Sequence, residues 1–138
     1  MIKIKNLNIK NENGQALVEF TLILPILILI VLGIIEFGWL LNAQITLNSA
    51  AREGVRVGAV LNTSEEVRRT KMIDAVNETA QFSGLNILED ECQVVEENDY
   101  SANIHNISIV VYADVNSMIG LYVPDTITMT SSAKMRRE

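Results

Sequence analysis

The 138-residue sequence has little of what enzymes and disulfide-bonded domains are built from. It contains one cysteine, Cys92, and one histidine, His105, and aromatic residues make up only 5% of the chain. A single cysteine excludes a disulfide within the chain. It leaves either a disulfide between chains or a free thiol on or near a strand, and we favour the free thiol. Neither an orienting acid nor an oxyanion arrangement accompanies Cys92 and His105, so we expect no catalysis and no enzyme activity.

Sites for metals and phosphates are also poorly represented. The sequence has no glycine-rich phosphate loop, and the acidic stretch over residues 89–99 lacks the spacing and the glycine of a calcium loop. All but three of the 17 acidic residues and all but three of the 11 basic residues follow Leu41, which makes that part of the chain acidic. An acidic surface disfavours DNA and RNA. We therefore expect no metal, no cofactor and no nucleic-acid partner.

A long apolar run dominates the first third of the chain. No charged residue occurs from Phe20 to Ile35, and extending the run to Leu41 adds only Glu36. Roughly 20 to 25 residues, each rising about 1.5 Å in a helix, cover a hydrocarbon core about 30 Å thick. Pro25 removes one helical hydrogen bond, which membrane helices tolerate. We predict one transmembrane helix over residues 15–41, with the lipid bilayer as its partner.

The charges that flank this run indicate its orientation. Three lysines and one glutamate precede it, whereas two arginines and one glutamate follow it over residues 52–56. The positive-inside rule then favours a single-pass cell-membrane protein with a cytoplasmic N-terminus and an extracytoplasmic C-terminus. The run is longer than the core of about 7 to 15 residues in a secretory signal. Small-residue sites at 41–43 and 49–51 nevertheless leave release of a soluble protein as a competing interpretation.

The stretch GQALVEF, residues 14–20, puts a glycine before the apolar run and an acid near its start. A charge inside a membrane helix is costly and by default indicates function. Glu19 lies within about one turn of the helix start, where free backbone N–H groups favour a negative charge by about 0.3 to 1 kcal/mol. From these residues alone, Glu19 either lies among lipid headgroups or makes a functional contact.

GQALVEF resembles the processing site of type IV pilin-like proteins, in which a glycine precedes the cut and a glutamate is fifth in the mature chain. The run with Pro25, then GIIEFG at 33–38 and AAREGVR at 50–56, is similar to TadE-like pseudopilins of the tight adherence (Tad/Flp) pilus system. The end of the chain, ITMTSSAKMRRE, resembles that family loosely. Phe20 stands where related Flp pilins often have tyrosine.

This resemblance implies a function and a set of partners. A prepilin peptidase would cut between Gly14 and Gln15, and Glu19 with Phe20 would act in assembly. The chain would be a minor structural or assembly component of a Tad-type pilus or a related secretion apparatus, serving adhesion and surface colonisation, because major Flp pilins are much shorter. Its partners would be other pilins or pseudopilins and pilus assembly membrane proteins, in an oligomer in the membrane or in a surface pilus. The alternative is a signal-anchored extracellular binding or sensor domain that is not processed at Gly14.

Cleavage would give Glu19 a cationic partner. The new α-amine of Gln15 has an ordinary pKa near 8 and is mostly protonated at neutral pH. Residues 15 and 19 are also i and i+4 neighbours, so the pair could form within one helix. We favour a pair between two subunits.

Beyond the membrane the sequence keeps a helical pattern. Ala50, Gly54 and Gly58 place a small residue at every fourth position, which permits close helix packing. The partner is either the chain's own soluble domain or a neighbouring subunit's helix. Glu36 and Trp39 are expected at the outer membrane interface, because tryptophan is typical of that layer, and a contact of Glu36 with a partner is the alternative.

We predict an α+β fold in which a long N-terminal transmembrane and stalk helix carries a small extracytoplasmic head with one helix and an antiparallel sheet. The expected segments are a leader at 1–14, the membrane helix at 15–41, a helical stalk at 42–62 and the head at 63–138. In the head, Thr63 and Glu66 indicate a capping box before a helix at about 64–82 that ends at Gly84. The expected apolar face of this helix consists of Val67, Ile73, Val76 and Ala80. The expected strands are 92–95, 106–115 and 126 onward, and the expected turns are at 98–99 and 124–125.

Overall fold

The computed structural model describes residues 12–81, 85–99 and 104–137. Within these ranges the elements are α1 (Glu12–Val60), α2 (Glu65–Gln81), β1 (Asn86–Ile87), a 3-10 turn (Glu89–Glu91), β2 (Gln93–Asp99), β3 (Ile104–Asn116) and β4 (Thr126–Arg136). The chain forms two compact units, residues 1–35 and 36–138. The predicted α+β class, with one long helix and a small antiparallel sheet, is confirmed. Most of the expected leader and the expected helix stop at Gly84 lie outside the described residues.

The described part of the first unit is the beginning of α1, residues 12–35. Leucine, isoleucine and valine fill it, and nearly all of its side chains are exposed. The helix is long and apolar enough to cross a membrane, and no described residue buries its most apolar stretch. Pro25 lies inside the helix.

The second unit is built around β3. Its register with β4 runs from Asn106 opposite Arg136 to Asn116 opposite Thr126. On the other edge, β2 pairs with the first half of β3 and the short β1 with its second half, all antiparallel. Alternate β3 side chains are buried, as the two-residue period of a strand requires when one face is covered.

The covered face of the sheet packs against α2 and the second part of α1. Both helices contribute small or medium side chains, and β3 contributes β-branched ones. The buried core contains Leu47, Ala50, Ala51, Val55, Ala59, Met72, Val76, Cys92, Ile107, Ile109, Val111 and Ala113.

Three details of the predicted head are wrong. The first helical bond of α2 runs from Arg68 N to Ser64 O at 2.9 Å, so Ser64 and not Thr63 occupies the capping position. Val67 is exposed, whereas Met72 is buried on the α2 face. The expected turn at 98–99 belongs to β2 and pairs with residues 104–105, because strand pairing overrides the turn preference of the Asn-Asp dipeptide.

A buried arginine closes the junction between the two helices. The Arg68 side chain is 3% exposed and donates to Leu61 O at 3.2 Å, to Thr63 O and to the Glu96 carboxylate on β2. Arg137 lies 3.8 Å from the other Glu96 oxygen. This arginine thereby ties the α1–α2 connection to the sheet.

Candidate processing and assembly site

The residues expected at the processing site lie at the beginning of α1. The described part of α1 begins at Glu12, so Gly14 and Gln15 lie close to that beginning. Gly14 is partly exposed and Gln15 is exposed. The bond between these two residues is thus at a position that an enzyme could reach.

Glu19 lies one turn further along the same helix. Its Oε1 accepts a hydrogen bond from Gln15 Nε2 at 3.1 Å, and the carboxylate is exposed. This bond joins side chains and leaves the backbone nitrogen of Gln15 uninvolved. Phe20 is exposed beside it. The geometry therefore offers a carboxylate and an aromatic ring on the outside of the helix, with no described residue of another element against them.

The predicted packing stripe lies within the second unit, where α1 meets α2 and β3. Ala50, Gly54 and Gly58 are all buried. A Cβ added at Gly54 would lie 2.6 Å from Val76 Cγ2, and one at Gly58 would lie 2.4 Å from Met72 Sδ. These glycines let α1 approach the chain's own head closely, which is the first of the two partners considered for the stripe.

Glu36 has partners that its place in the sequence did not indicate. It is fully buried, and its carboxylate accepts from Ser117 Oγ at 2.5 Å and from the backbone N–H of Ile119 at 2.8 Å. Trp39 Nε1 donates to Asn116 O at 3.2 Å. Both side chains thus hold the connection between β3 and β4 against α1.

One signal could have identified this contact. Glu36 precedes the buried Leu40 by four residues, so it continues the helical face that runs on through Ala43 and Leu47. An acid on an otherwise apolar, inward-facing stripe indicates a buried carboxylate with partners. Ser117 and Ile119 themselves carry no comparable signal, because they lie about 80 residues away in a loop.

The charges and the thiol of the second unit have ordinary structural surroundings. Exposed Glu53 and Arg56 form an ion pair, which lowers the pKa of the Glu53 carboxyl through a hydrogen bond from Arg56. Burial raises the pKa of the Cys92 thiol, which is free and contacts Leu88 O at 3.4 Å. Over the described ranges, no three His, Cys, Asp or Glu side chains are grouped to hold a metal ion.

Comparison with known protein families locates a match in the first part of the chain. The family model described as TadE-like protein matches residues 14–56. This segment is TadE-like. The resemblance predicted from GQALVEF, GIIEFG and AAREGVR is confirmed over that range. No curated protein and no solved structure gives a significant match.

The TadE-like segment contains most of the candidate residues. It begins at Gly14, includes Glu19, Glu36 and Gly54, and ends at Arg56. It stops before Gly58 and before all of α2 and the sheet. The match indicates a membrane protein associated with components of a Tad pilus, consistent with one apolar helix for single-pass anchoring.

Proposed function

We propose that the chain is a pseudopilin-like membrane protein, cut after Gly14 by a prepilin peptidase, that acts as a minor structural or assembly component of a Tad-type pilus or related secretion apparatus. Its head lies outside the membrane, and it works with other pilins, pseudopilins and assembly membrane proteins in adhesion. It is the substrate of an enzyme and has no catalytic activity of its own.

The observation that carries this proposal is the start of the family match at Gly14. The TadE-like pattern begins at the residue that would precede the cut and continues through the apolar run. The three leader lysines are outside the pattern. The pattern therefore fits a mature chain that starts at Gln15 and retains its membrane helix.

The exposed helix gives a physical reason for assembly. Residues 15–35 present apolar side chains on every side, and the described chain covers almost none of them. Such a helix needs lipid or other helices around it. Release from the bilayer into a pilus is favourable only when helices of other subunits replace the lipid.

Processing would also create the charge pair that directs this replacement. The mature helix has the Gln15 amine and Glu19 at one end and no other charge before Glu36. Charges in a low-dielectric setting require partners. Because the Gln15 side chain can bind Glu19 within one helix, we propose that the backbone amine contacts Glu19 of a neighbouring subunit. This contact would give neighbouring subunits a fixed arrangement in the assembly.

N-terminal sequencing of the chain co-expressed with a prepilin peptidase tests the processing step. We expect a mature N-terminus at Gln15 and an uncut chain for Gly14→Trp. Gly38→Trp is the matched control, since a Cβ at Gly38 meets no atom within 4 Å and the residue is distant from the cut. Unaltered fibres in cells that carry Gly14→Trp would refute the proposal.

The assembly step is tested by Glu19→Ala. This variant should be cut normally and should fail to enter assemblies, as measured by cross-linking to the other pilus components. Thr21→Ala is the control, because the Thr21 hydroxyl binds Leu17 O of its own helix at 2.7 Å. Normal incorporation of Glu19→Ala would remove the proposed role of the carboxylate.

The same sequencing experiment distinguishes the other interpretations. An intact Met1 together with normal function would favour a signal-anchored binding or sensor domain. A mature N-terminus near Gln44 or Arg52 would indicate release of a soluble protein.

A further inference from the structure

The connection between β3 and β4, residues 117–125, lies at a defined end of the second unit. β3 runs along α1 in the opposite direction: Ile107 lies beside Gly58, Ile109 beside Gly54, and Val115 packs with Leu40. Because β3 is antiparallel to α1, the end of β3 lies beside Glu36 of α1. Residues 117–125, called here the β3–β4 loop, are at the same level of α1 as the residue that directly follows the apolar run.

Four hydrogen bonds fix the loop in this place. Its first residues donate to the Glu36 carboxylate, from Ser117 Oγ at 2.5 Å and from Ile119 N at 2.8 Å. Ser117 N donates to Asp125 O at 2.9 Å and closes the base of the loop. Gly120 N donates to Ser117 Oγ at 2.6 Å, and Gly120 has a φ of 68°, a left-handed conformation that favours glycine. The loop is thus held by the buried Glu36 side chain.

Despite this fixed position, the loop turns large apolar side chains outward. Met118 is 63% exposed and Leu121 is 54% exposed, and Ile119 and Tyr122 are exposed as well. The only charged residue in the loop is Asp125, at its end. Soluble surfaces rarely gather exposed apolar residues in this way, so the loop indicates a contact surface.

The residues of α1 at this level have the same character. Phe37 and Leu41 are exposed, and Trp39 is exposed while donating its N–H to Asn116 O. Tryptophan and tyrosine are enriched where a bilayer meets water. Glu36 is one residue, or about 1.5 Å of helical rise, beyond the uncharged run that requires hydrocarbon around it. The partner that this surface fits is therefore the lipid interface.

We propose that the β3–β4 loop is a second membrane-contact surface, which inserts Met118 and Leu121 into the interface of the bilayer that holds the apolar helix. Glu36 positions the loop by binding Ser117 and Ile119, so the acid after the apolar run serves to place a membrane contact. This inference rests on the membrane anchoring in the proposed function and is independent of cleavage at Gly14.

Fluorescence quenching in vesicles tests the inference with the full chain. In a Cys92→Ala background, Met118→Cys and Leu121→Cys are labelled with an environment-sensitive fluorophore and reconstituted in phosphatidylcholine–phosphatidylglycerol vesicles that contain a shallow nitroxide lipid. Val95→Cys on β2 is the control for an exposed apolar residue of the head, and Ile28→Cys with a deep nitroxide lipid reports the anchor. We expect quenching at 118 and 121 to be several-fold stronger than at 95.

The outcomes separate the loop from the anchor. Quenching at 28 with no more quenching at 118 and 121 than at 95 would overturn the loop contact and leave the anchoring intact. Absence of quenching at 28 as well would overturn both. A blue-shifted but unquenched label at 118 and 121 that reverts when protein is diluted in lipid would show that a second copy covers the loop, which also overturns the lipid contact. Two independent loop positions guard against a local effect of either substitution.

Discussion

Apolar residues of the same type are exposed in the first part of α1 and buried in the second. Leu22, in the first unit, is 70% exposed, and Leu47, in the second unit, is fully buried. The first part exposes apolar side chains on every side, whereas the second buries one stripe of small and apolar residues and exposes a mixture of polar and apolar ones. Helical propensity alone does not explain the difference, since both parts are helical. What differs is whether the rest of the chain supplies a partner surface.

This contrast separates two tasks. The second part of α1 is a core element of the head, and its substitutions should change the stability of the head. The first part has no described partner in its own chain, and its substitutions should change membrane insertion or assembly while the head stays folded. Each prediction below tests that separation in full-length protein in detergent micelles.

The largest loss of stability is expected for Arg68→Ala. This change removes the buried cation of Glu96, which keeps Arg137 at 3.8 Å, and removes the Arg68 donor from the carbonyl groups of Leu61 and Thr63. Breaking a buried pair by removing one partner costs about 3 to 5 kcal/mol. Urea unfolding followed by Trp39 fluorescence measures the free energy of unfolding of the head.

Arg56→Ala is the matched control for that measurement. Its ion pair with Glu53 is exposed and should contribute less than about 1 kcal/mol. Equal losses for the two arginines would mean that Arg68 is not buried in solution.

Glu36→Ala is expected to have the next largest effect. Two hydrogen bonds to a buried carboxylate are lost, each contributing about 1.5 to 3 kcal/mol, and we expect a total loss of about 3 kcal/mol. Glu36→Gln, which keeps one acceptor, should lose less. Hydrogen exchange of the Ile119 amide reports the same contact directly and should accelerate in both variants.

Glu19→Ala provides the comparison across the two units. Its one described hydrogen bond is to Gln15 in the same helix. We expect the Ile119 amide and the stability of the head to remain as in the unaltered chain. A change of Ile119 exchange in Glu19→Ala would contradict the separation of the two parts of α1.

Glu36 also shows how far sequence reasoning reaches. The apolar run, the small-residue stripe and the alternating strands were predictable because each repeats a helical or strand period. The structure has α1, β3 and β4 at nearly the expected bounds, whereas β2 continues to Asp99. The burial of Glu36 was implied by its place four residues before Leu40, but its partners were not, because they come from a distant loop. A charged residue in an isolated segment normally indicates a solvated face.

The same limit explains the other differences. From the sequence, Arg68 is expected on the surface of α2. In the structure it is paired with Glu96, which is 28 residues away in the chain. The two-residue β1 has no periodic pattern to detect. At Gly14 and Glu19 the sequence supplies a family pattern and the structure an exposed position, and neither contains the peptidase or the neighbouring subunit that would use them.

A smaller effect is expected at the glycines of the stripe. For Gly54→Ala, the new Cβ would lie 2.6 Å from Val76 Cγ2 and 3.1 Å from the backbone oxygen of Met72, which is difficult to move. Overpacking of this kind costs about 1 to 3 kcal/mol. Gly58→Ala should cost less, because the atoms in its way are the flexible ends of Met72 and Ile107.

Gly38→Ala is expected to raise the stability of the helix instead of lowering it. An added Cβ there meets no atom within 4 Å, so the higher helix propensity of alanine should stabilise the helix by up to about 1 kcal/mol. Thermal unfolding of the three variants should rank Gly38→Ala above Gly58→Ala and Gly54→Ala last. Destabilisation of equal size at all three positions would indicate that the close approach of α1 to α2 does not exist.

The smallest effect concerns Cys92, which is 2% exposed. Burial raises the pKa of its thiol, so the folded chain keeps the proton at a pH at which the unfolded chain, with an ordinary pKa of about 8.5, loses it. The unfolded state then binds fewer protons, and this contribution makes stability fall as pH rises above about 8.5. One pH unit above that value, the loss can be at most about 1.4 kcal/mol. Cys92→Ala should remove this part of the pH dependence.

Alkylation of the Cys92 thiol tests the same burial. In the unaltered chain, alkylation by iodoacetamide should be slow until urea unfolds the head, because the thiolate is the reactive form. Rapid alkylation in the folded state would contradict the burial of the thiol beneath α2 and β3.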